Sequence, residues 1–386
     1  MKLSSPFIRL PYQFDPERMA VELAQVREID WMSHPDKLDG NSALPLISSG
    51  GGDNNEFKGE MLPTRHLKQS PYLQQVIASF GEVFGRSRLM RLSAGCEVSP
   101  HVDFNYHWHH HVRIHIPVVT NPDVTFFCGD DQVHMSAGEC WIFDSWRLHR
   151  VVNAGNQTRT HLVIDTAGSA RFWETVNRAE RAAAAATPLP ARFVPYAVDQ
   201  AVLIQSERFN LLPVMSPGDV DGLTYDLIAD FESEPANNAS GIGLYKKHLL
   251  AYCKDWRALW YQYGVHERGW PHYQKLIDET LRTFPDVDPP LLVRGGNCRA
   301  KVAFMARVLG VALLPDLYRE FLQPKEYTQC VPHGATRETP TATEADTAGL
   351  AAPGLTARRE PARNERCACG SGLRYKHCHG ASTSTN

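Results

Sequence analysis

The chain has 386 residues, 43% of them apolar and 22% charged, with a formal net charge of −3. That length supports a sizeable core and more than one domain, while the near-neutral charge argues against a large nucleic-acid footprint. No apolar run approaches a membrane span, and the start, MKLSSPFIRLPYQFDPE, lacks the continuous apolar block of a signal peptide. Of the nine cysteines, Cys96, Cys128, Cys140, Cys253, Cys298 and Cys330 are scattered without framework spacing, which points to reduced thiols in a cytoplasm.

In chain order, Asp15-Pro16 gives a cap followed by proline at the first helical position, with Met19, Leu23 and Val26 on one face behind it. Ser70-Pro71 repeats the signal ahead of Leu73, Val76, Ile77 and Phe80. Between them SSGGGDNNEFKG is a polar, glycine-rich loop, a lid or a connector. From about Arg88 to Asp165 the pattern turns to short alternating runs: RLMRLSAG, VRIHIPVV, VTFFCGDD, CWIFD and THLVID. These predict a sandwich or small barrel. A period of two sets Arg113 and His115 against Ile114 and Ile116, and Arg159, His161 and Val163 against Leu162 and Ile164. Polar groups inside and apolar groups turned toward covering helices would fit both runs, and so would a half-exposed sheet.

Helical periodicity follows from about Ser169 to Leu322. In KKHLLAYCKDWRALWYQYG the residues Leu249, Cys253, Trp256 and Trp260 share a stripe that stops at Gly264. Asn297 is a candidate cap. LLVRGGNCRAK puts glycines and cations before a helix but lacks phosphate-loop spacing. The stretch 326–362 is expected to be a disordered linker, its residues 331–362 rich in Thr, Ala, Pro and Glu.

The span HVDFNYHWHHHVRIHIPV, residues 101–118, crowds six of the 17 histidines together. On a strand His101 and Asp103 leave the same face with Cα atoms roughly 6.5 Å apart. A histidine and a carboxylate so placed, with a second histidine tens of residues on, form the facial ligand set of non-haem iron oxygenases, and His149 is well placed to complete it. Zinc competes for such a set, but no HExxH helix is present. His107, His109, His110 and His111 are expected in a loop or strand entry near the mouth, as solvated or satisfied surface histidines.

The ordered motifs RLSAGCEVSPHVD, RIHIPVVTNPDV and MSAGECWIFDSWRLHRVVNAGNQTRTHLVID resemble the aspartyl/asparaginyl β-hydroxylase family, in the bacterial branch that includes free-proline cis-hydroxylases. The resemblance implies a double-stranded β-helix (cupin or jelly-roll) core; with the helical patterns before and after it and the cysteine-rich end, the chain is expected to be α+β, with N-terminal helices, a helical C-terminal domain and a small zinc-binding tail. The resemblance also implies Fe(II) held by His101, Asp103 and His149, the catalytic centre. It gives 2-oxoglutarate gripped by Arg159 and oriented by His115, and Arg113 facing the cosubstrate or substrate. The implied reaction hydroxylates an unactivated C–H bond of an amino acid, free or within a peptide or carrier-bound chain, with succinate and CO2 as coproducts. Animal members lack the carboxylate that Asp103 supplies, so their substrate does not carry over. Two other classes stay open: an inactive barrel whose zinc tail recruits partners, and a cupin-type metalloenzyme that does not use 2-oxoglutarate.

Near the end, RNERCACGSGLRYKHCHG places Cys367, Cys369, Cys378 and His379 in a C-x-C-x8-C-H pattern suited to tetrahedral structural zinc. The segment resembles the SEC-C motif, which implies protein contacts. The domains expected are 1–170 (hydroxylase, core strands about 88–165), 171–325 (helical), the linker, and 363–380 (zinc module). Neither nucleic acid nor membrane is an expected partner.

Overall fold

Two sheets share the strands between Val83 and Thr166: β1 Val83–Leu92, β2 Glu97–His101, β3 Val112–Val119, β4 Val124–Cys128, β5 Asp131–Val133, β6 Glu139–Phe143, β7 His149–Asn153 and β8 Arg159–Thr166. In the larger sheet they run β6-β3-β8-β1, and in the smaller β2-β7-β4-β5, all antiparallel. Except from β4 to β5, each strand crosses to the other sheet from the one before it. That alternation is the winding of a jelly roll, or double-stranded β-helix.

The computed structural model describes residues 2–33, 40–103, 106–187, 189–210, 212–294 and 298–313. The chain divides into two compact units, 1–335 and 336–386. The Asn297 cap, the end of the helical stretch, the linker and the cysteine-rich tail lie outside the described residues.

The larger sheet reaches ten strands because Phe7–Phe14 pairs with β6 and Asn41–Ser49 with β1, with shorter strands beyond them. Only helices and loops were expected in this first third. Each of these two strands carries a proline, normally a mark against a strand. In both, the register shifts beside it, between Leu10 and Gln13 and between Pro45 and Ile47, so the missing N–H falls at an irregularity in the ladder.

Four helices follow the strands closely in sequence: α1 Pro16–Leu23, α2 Pro71–Ala78, α3 Tyr106–His110 and α4 Ala170–Ala184. Ile114, Ile116, Leu162 and Ile164 form one core with Met19 of α1, Leu73, Val76 and Ile77 of α2, and Phe172 and Val176 of α4. Each such fully buried side chain contributes about 1.5–3 kcal/mol. The opposite face of the same strands carries Arg113, His115, Arg159 and His161 between the sheets. Of the two arrangements the alternation allowed, the structure has polar groups inside. A separate small core of Leu92, Val124, Phe126, Phe143 and Val151 lies between the sheets.

The first helix starts as its sequence signal requires, with the Asp15 carboxylate accepting from the backbone N–H of Arg18 at 3.0 Å. The second does not use Ser70 as a side-chain cap. Instead Glu22, in α1, accepts from the N–H groups of Tyr72 and Leu73 at 2.7 and 3.0 Å. A buried carboxylate on a helix N-terminus meets both the orphan donors and the positive end of the dipole.

Three further helices follow: α5 Pro217–Glu232, α6 Ala239–Tyr263 and α7 Trp270–Arg282. Their core holds Leu249, Cys253 and Trp256, with Trp260 partly buried against it, and α6 ends at Gly264 with φ +52. Cys96, Cys128, Cys140 and Cys253 are free thiols. Cys298 is disulfide-bonded, which departs from the expected set of reduced thiols. Among the described residues no helix is long and apolar enough to cross a membrane.

Replacing Glu22 with alanine should leave two buried N–H donors unpaired and cost about 2 kcal/mol, read as a lower denaturant midpoint with an unchanged slope.

Candidate active site

The register of β2 on β7 sets His149 directly opposite His101, with ring centroids 4.1 Å apart. Asp103 follows just past the end of β2, where its N–H donates to the Ser145 carbonyl at 2.8 Å. His101 Nε2 lies 3.9 Å from Asp103 Oδ1, and His149 Nε2 lies 3.9 Å from Oδ2. One ligand atom from each of the three residues falls within 4.8 Å of the others.

The orientation of both rings is fixed from behind. His101 Nδ1 lies 2.8 Å from the Ser99 carbonyl and His149 Nδ1 2.9 Å from that of Arg147. A carbonyl only accepts, so Nδ1 must carry the proton in each ring, and the lone pair of a neutral ring sits on Nε2. Both lone pairs therefore belong to the nitrogens that face Asp103. This is the outer support that metal-binding histidines need.

Electrostatics prepare the same state. Burial, helped by the nearby His101, pushes His149 down to about 4, so its ring is neutral over the ordinary pH range. Burial works against ionisation of Asp103, yet Arg113 and the two histidines hold its carboxyl below the usual value. An anionic carboxylate beside two imidazoles that turn Nε2 toward it is a donor set for a divalent ion with oxygen and nitrogen preference.

Further along the inner faces lie Arg159, His115 and His161. Arg159 is 5% exposed, and burial lowers its guanidinium to about 10. Its Nη1 donates to the Met90 carbonyl at 3.3 Å and its charge lies over the Phe126 ring, while Nε has no hydrogen-bond partner. Both ring nitrogens of His115 and of His161 are likewise unpartnered and buried. Burial pushes both rings well below their ordinary pKa. A buried polar atom without a partner costs about 1–3 kcal/mol. Several together, beside a guanidinium with no carboxylate hydrogen-bonded to it, suit a dicarboxylate, so the residues present fit both a metal and an anionic cosubstrate.

Arg113 faces the site differently. Its Nη1 lies 3.6 Å from Asp103 Oδ2 and its Nε 3.3 Å from Asp165 Oδ1, and its guanidinium covers Trp108. It ties Asp103 to a second buried carboxylate. Asp165 also meets His107 Nε2 at 3.3 Å and Arg86 Nε at 3.8 Å.

The remaining histidines correct the sequence reading. His107, His109 and His110 occupy helix α3 rather than a loop, while His111 sits at the entry to β3, and His107 and His111 are 7% and 5% exposed rather than solvated. One turn apart, these two rings stack at 4.0 Å. His111 Nε2 meets Glu207 Oε1 at 2.5 Å, and burial pushes His107 down to about 3. His110 Nε2 meets Asp219 of α5 at 3.1 Å, and His109 packs near Trp146. The helix is a wedge between the barrel and α5. Sequence reasoning also passed over Arg86 and Arg88 of β1, Asp165, and Asn55 and Phe57 of the glycine-rich loop. For the arginines the signal was present, since GRSR spaces them two apart on one face of a strand.

Residues 50–168 match the aspartyl/asparaginyl beta-hydroxylase family. The beta-hydroxylase match covers His101, Asp103, His149, Arg159 and His115, and residues 363–381 separately match the SEC-C motif. Among curated proteins the chain is 31% identical over 142 residues to L-proline cis-3-hydroxylase 1 of Streptomyces sp, covering 34% of this chain and 48% of that one. It is 25% identical over 178 residues to L-proline cis-3-hydroxylase 2 of Streptomyces sp, covering 42% and 60%. The chain thus spans about half the length of the curated relatives it matches. Among solved structures, a 2OG-Fe(II) oxygenase family protein from Burkholderia pseudomallei overlaps 42% of this chain and 85% of that one, at 13% identity and a TM-score of 0.33. That likeness is too slight to add to the argument.

The His111–Glu207 pair gives a pH-dependent prediction. Burial pulls His111 down, but Glu207 outweighs it and holds the ring above its ordinary value. The pair's contribution is therefore full in mild acid and fades as pH rises through the raised pKa. Glu207→Gln should cost about 3 kcal/mol near pH 6 and clearly less near pH 9, measured by urea unfolding at both.

Proposed function

We propose that the chain is an Fe(II)/2-oxoglutarate-dependent dioxygenase that hydroxylates an unactivated C–H bond of an amino acid, free or within a peptide or carrier-bound substrate. The observation that carries this reading is the convergence of two outward-turned Nε2 lone pairs and one carboxylate within 4.8 Å. The match to a family of hydroxylases and the named activity of two relatives, proline hydroxylation, support it.

In this reading His101, Asp103 and His149 hold the iron through one face. Bound there, Fe(II) with 2-oxoglutarate and O2 would supply the oxidising power that places one oxygen atom in the C–H bond, leaving succinate and CO2. Arg159 offers its guanidinium to the distal carboxylate of 2-oxoglutarate, where a planar fork on a rigid strand suits a bidentate partner. His115, neutral in its buried position, donates or accepts one hydrogen bond as the cosubstrate requires. Arg113 orients Asp103 and faces the substrate side. Phe126, Phe143 and Val151 line the inner faces and keep water from the reacting atoms.

The proposal extends to organisation. Residues 1–170 carry the chemistry, 171–325 add a helical domain, 326–362 link, and 363–380 bind a structural zinc through Cys367, Cys369, Cys378 and His379. The zinc segment would meet a protein partner. A cytoplasmic location belongs to the same reading.

The test is an anaerobic titration of the full chain with Fe(II) and 2-oxoglutarate, followed by a screen of amino acids for stimulated succinate release. His149→Ala should lose most metal binding. Arg159→Ala should weaken 2-oxoglutarate on the order of 100-fold, while Fe(II) still binds. Wild-type affinity and turnover in Arg159→Ala would remove 2-oxoglutarate from the proposal.

A further inference from the structure

Among the described residues, four guanidiniums lie buried or nearly so along the inner face of the barrel (Arg86, Arg88, Arg113 and Arg159), against two carboxylates, Asp103 and Asp165. Glu207 does not redress the difference, because it is held by His111. Loading the centre does not redress it either. The two charges of Fe(II) and the two of 2-oxoglutarate cancel, so the surplus stays as it was. Buried guanidiniums without enough anions are costly, so the surplus calls for a further anion.

The unmatched charge sits at Arg86 and Arg88. Both are buried, at 4% and 6% exposure, and alternate on β1 so that they share a face. Arg88 Nη1 donates to the side-chain oxygen of Asn55 at 3.3 Å, and Arg86 Nη1 to the Asn55 backbone carbonyl at 3.0 Å. Phe57 covers Arg86 at 3.7 Å. Arg86 Nε has no hydrogen-bond partner, and its nearest carboxylate, Asp165 at 3.8 Å, is shared with Arg113 and His107. Two desolvated cations thus rest on two neutral carbonyl oxygens of one asparagine, supplied by the glycine-rich loop. Charged donors prefer a charged acceptor by a wide margin in such surroundings. Arg86 meets Asp165, Asp165 meets Arg113 and Arg113 meets Asp103, so contacts run from this corner to the proposed metal ligands.

We propose that Arg88, assisted by Arg86, is the subsite for the free carboxylate of the substrate, and that Asn55 is a neutral placeholder which that carboxylate displaces. The inference rests on the hydroxylase reading and narrows it: the substrate is a small free amino acid, held by its α-carboxylate, and not a residue inside a peptide. Binding of the acid then loosens the Asn55–Phe57 segment from the arginines, which couples filling of the site to movement of the loop.

The experiment uses the full chain, loaded anaerobically with Fe(II) and 2-oxoglutarate so that nothing turns over. Free L-amino acids and their C-terminal amides, L-proline and L-prolinamide first, are scored by thermal shift and calorimetry. At least one free acid should bind, with its amide on the order of tenfold weaker or worse. Arg88→Met should lose the acid while the charge-transfer absorption of the loaded iron centre stays. Because that variant removes a buried side chain, Asn55→Asp is the second arm. It sets a permanent carboxylate against the arginine pair, so it should raise the melting temperature even of unloaded protein and abolish binding of the acid. Equal binding of acid and amide, preference for a peptide without a free carboxylate, or an Asn55→Asp protein that melts no higher and binds the acid as before would each overturn the subsite. So would normal loading with iron and 2-oxoglutarate but no bound acid. Failure to load at all would strike the hydroxylase reading instead, and the melting shift of Asn55→Asp would still decide the subsite.

Discussion

One antiparallel register carries the rest of this structure: β2 on β7, with His101 opposite His149. Side chains alternate along a strand, so a slip of one residue would turn either imidazole out of the barrel. The register alone is not sufficient. Each ring must also present the correct nitrogen, and the carbonyls of Ser99 and Arg147 settle that by accepting hydrogen bonds from Nδ1–H. Asp103 is then drawn in by its backbone bond to Ser145. Three side chains from one strand pair and its flanking loop are held by backbone atoms, which cannot change rotamer.

The larger sheet makes that precision affordable. Its outer face is a conventional apolar core against three helices, with Ile114, Ile116, Leu162 and Ile164 fully buried. That stability tolerates an inner face loaded with arginine and histidine. Inside, the aspartates organise the cations: Asp165 gathers Arg113, Arg86 and His107, and burial does not prevent its carboxyl from being held far below the ordinary value by those neighbours. Arg113 spans Asp165 and Asp103, so the positions of the two buried carboxylates are mechanically joined.

Much of this was legible in the sequence, for physical reasons. A period of two in VRIHIPV and RTHLVID separates inward polar from outward apolar residues, and H-x-D with a distant histidine is a spacing that few other chemistries need. The helix starts at Asp15-Pro16 and the stop at Gly264 follow from local backbone preferences. What escaped depends on tertiary context. Pro11 and Pro45 hid two strands because the bulges that accommodate them exist only once a neighbour is paired. The histidines of α3 and His111 looked like surface residues because nothing in FNYHWHHHV announces that Asp165, Glu207 and Asp219, distant in sequence, will meet them. Ser70 was the expected cap of α2, and Glu22 displaced it from another helix.

The position of Trp146 has a consequence for how the chain could be divided. Its indole donates to the Trp108 carbonyl, carries the charges of Lys2 and Arg307 over its ring, and follows directly on the Ser145 that anchors Asp103. It packs against the core of the C-terminal helices. Those helices therefore serve as a buttress for a loop they do not belong to. An excised barrel ending near residue 170 would shed Glu207, Asp219 and Arg307 together, baring an indole beside the His101, Asp103 and His149 cluster. The smallest unit that keeps these contacts is larger than the jelly roll.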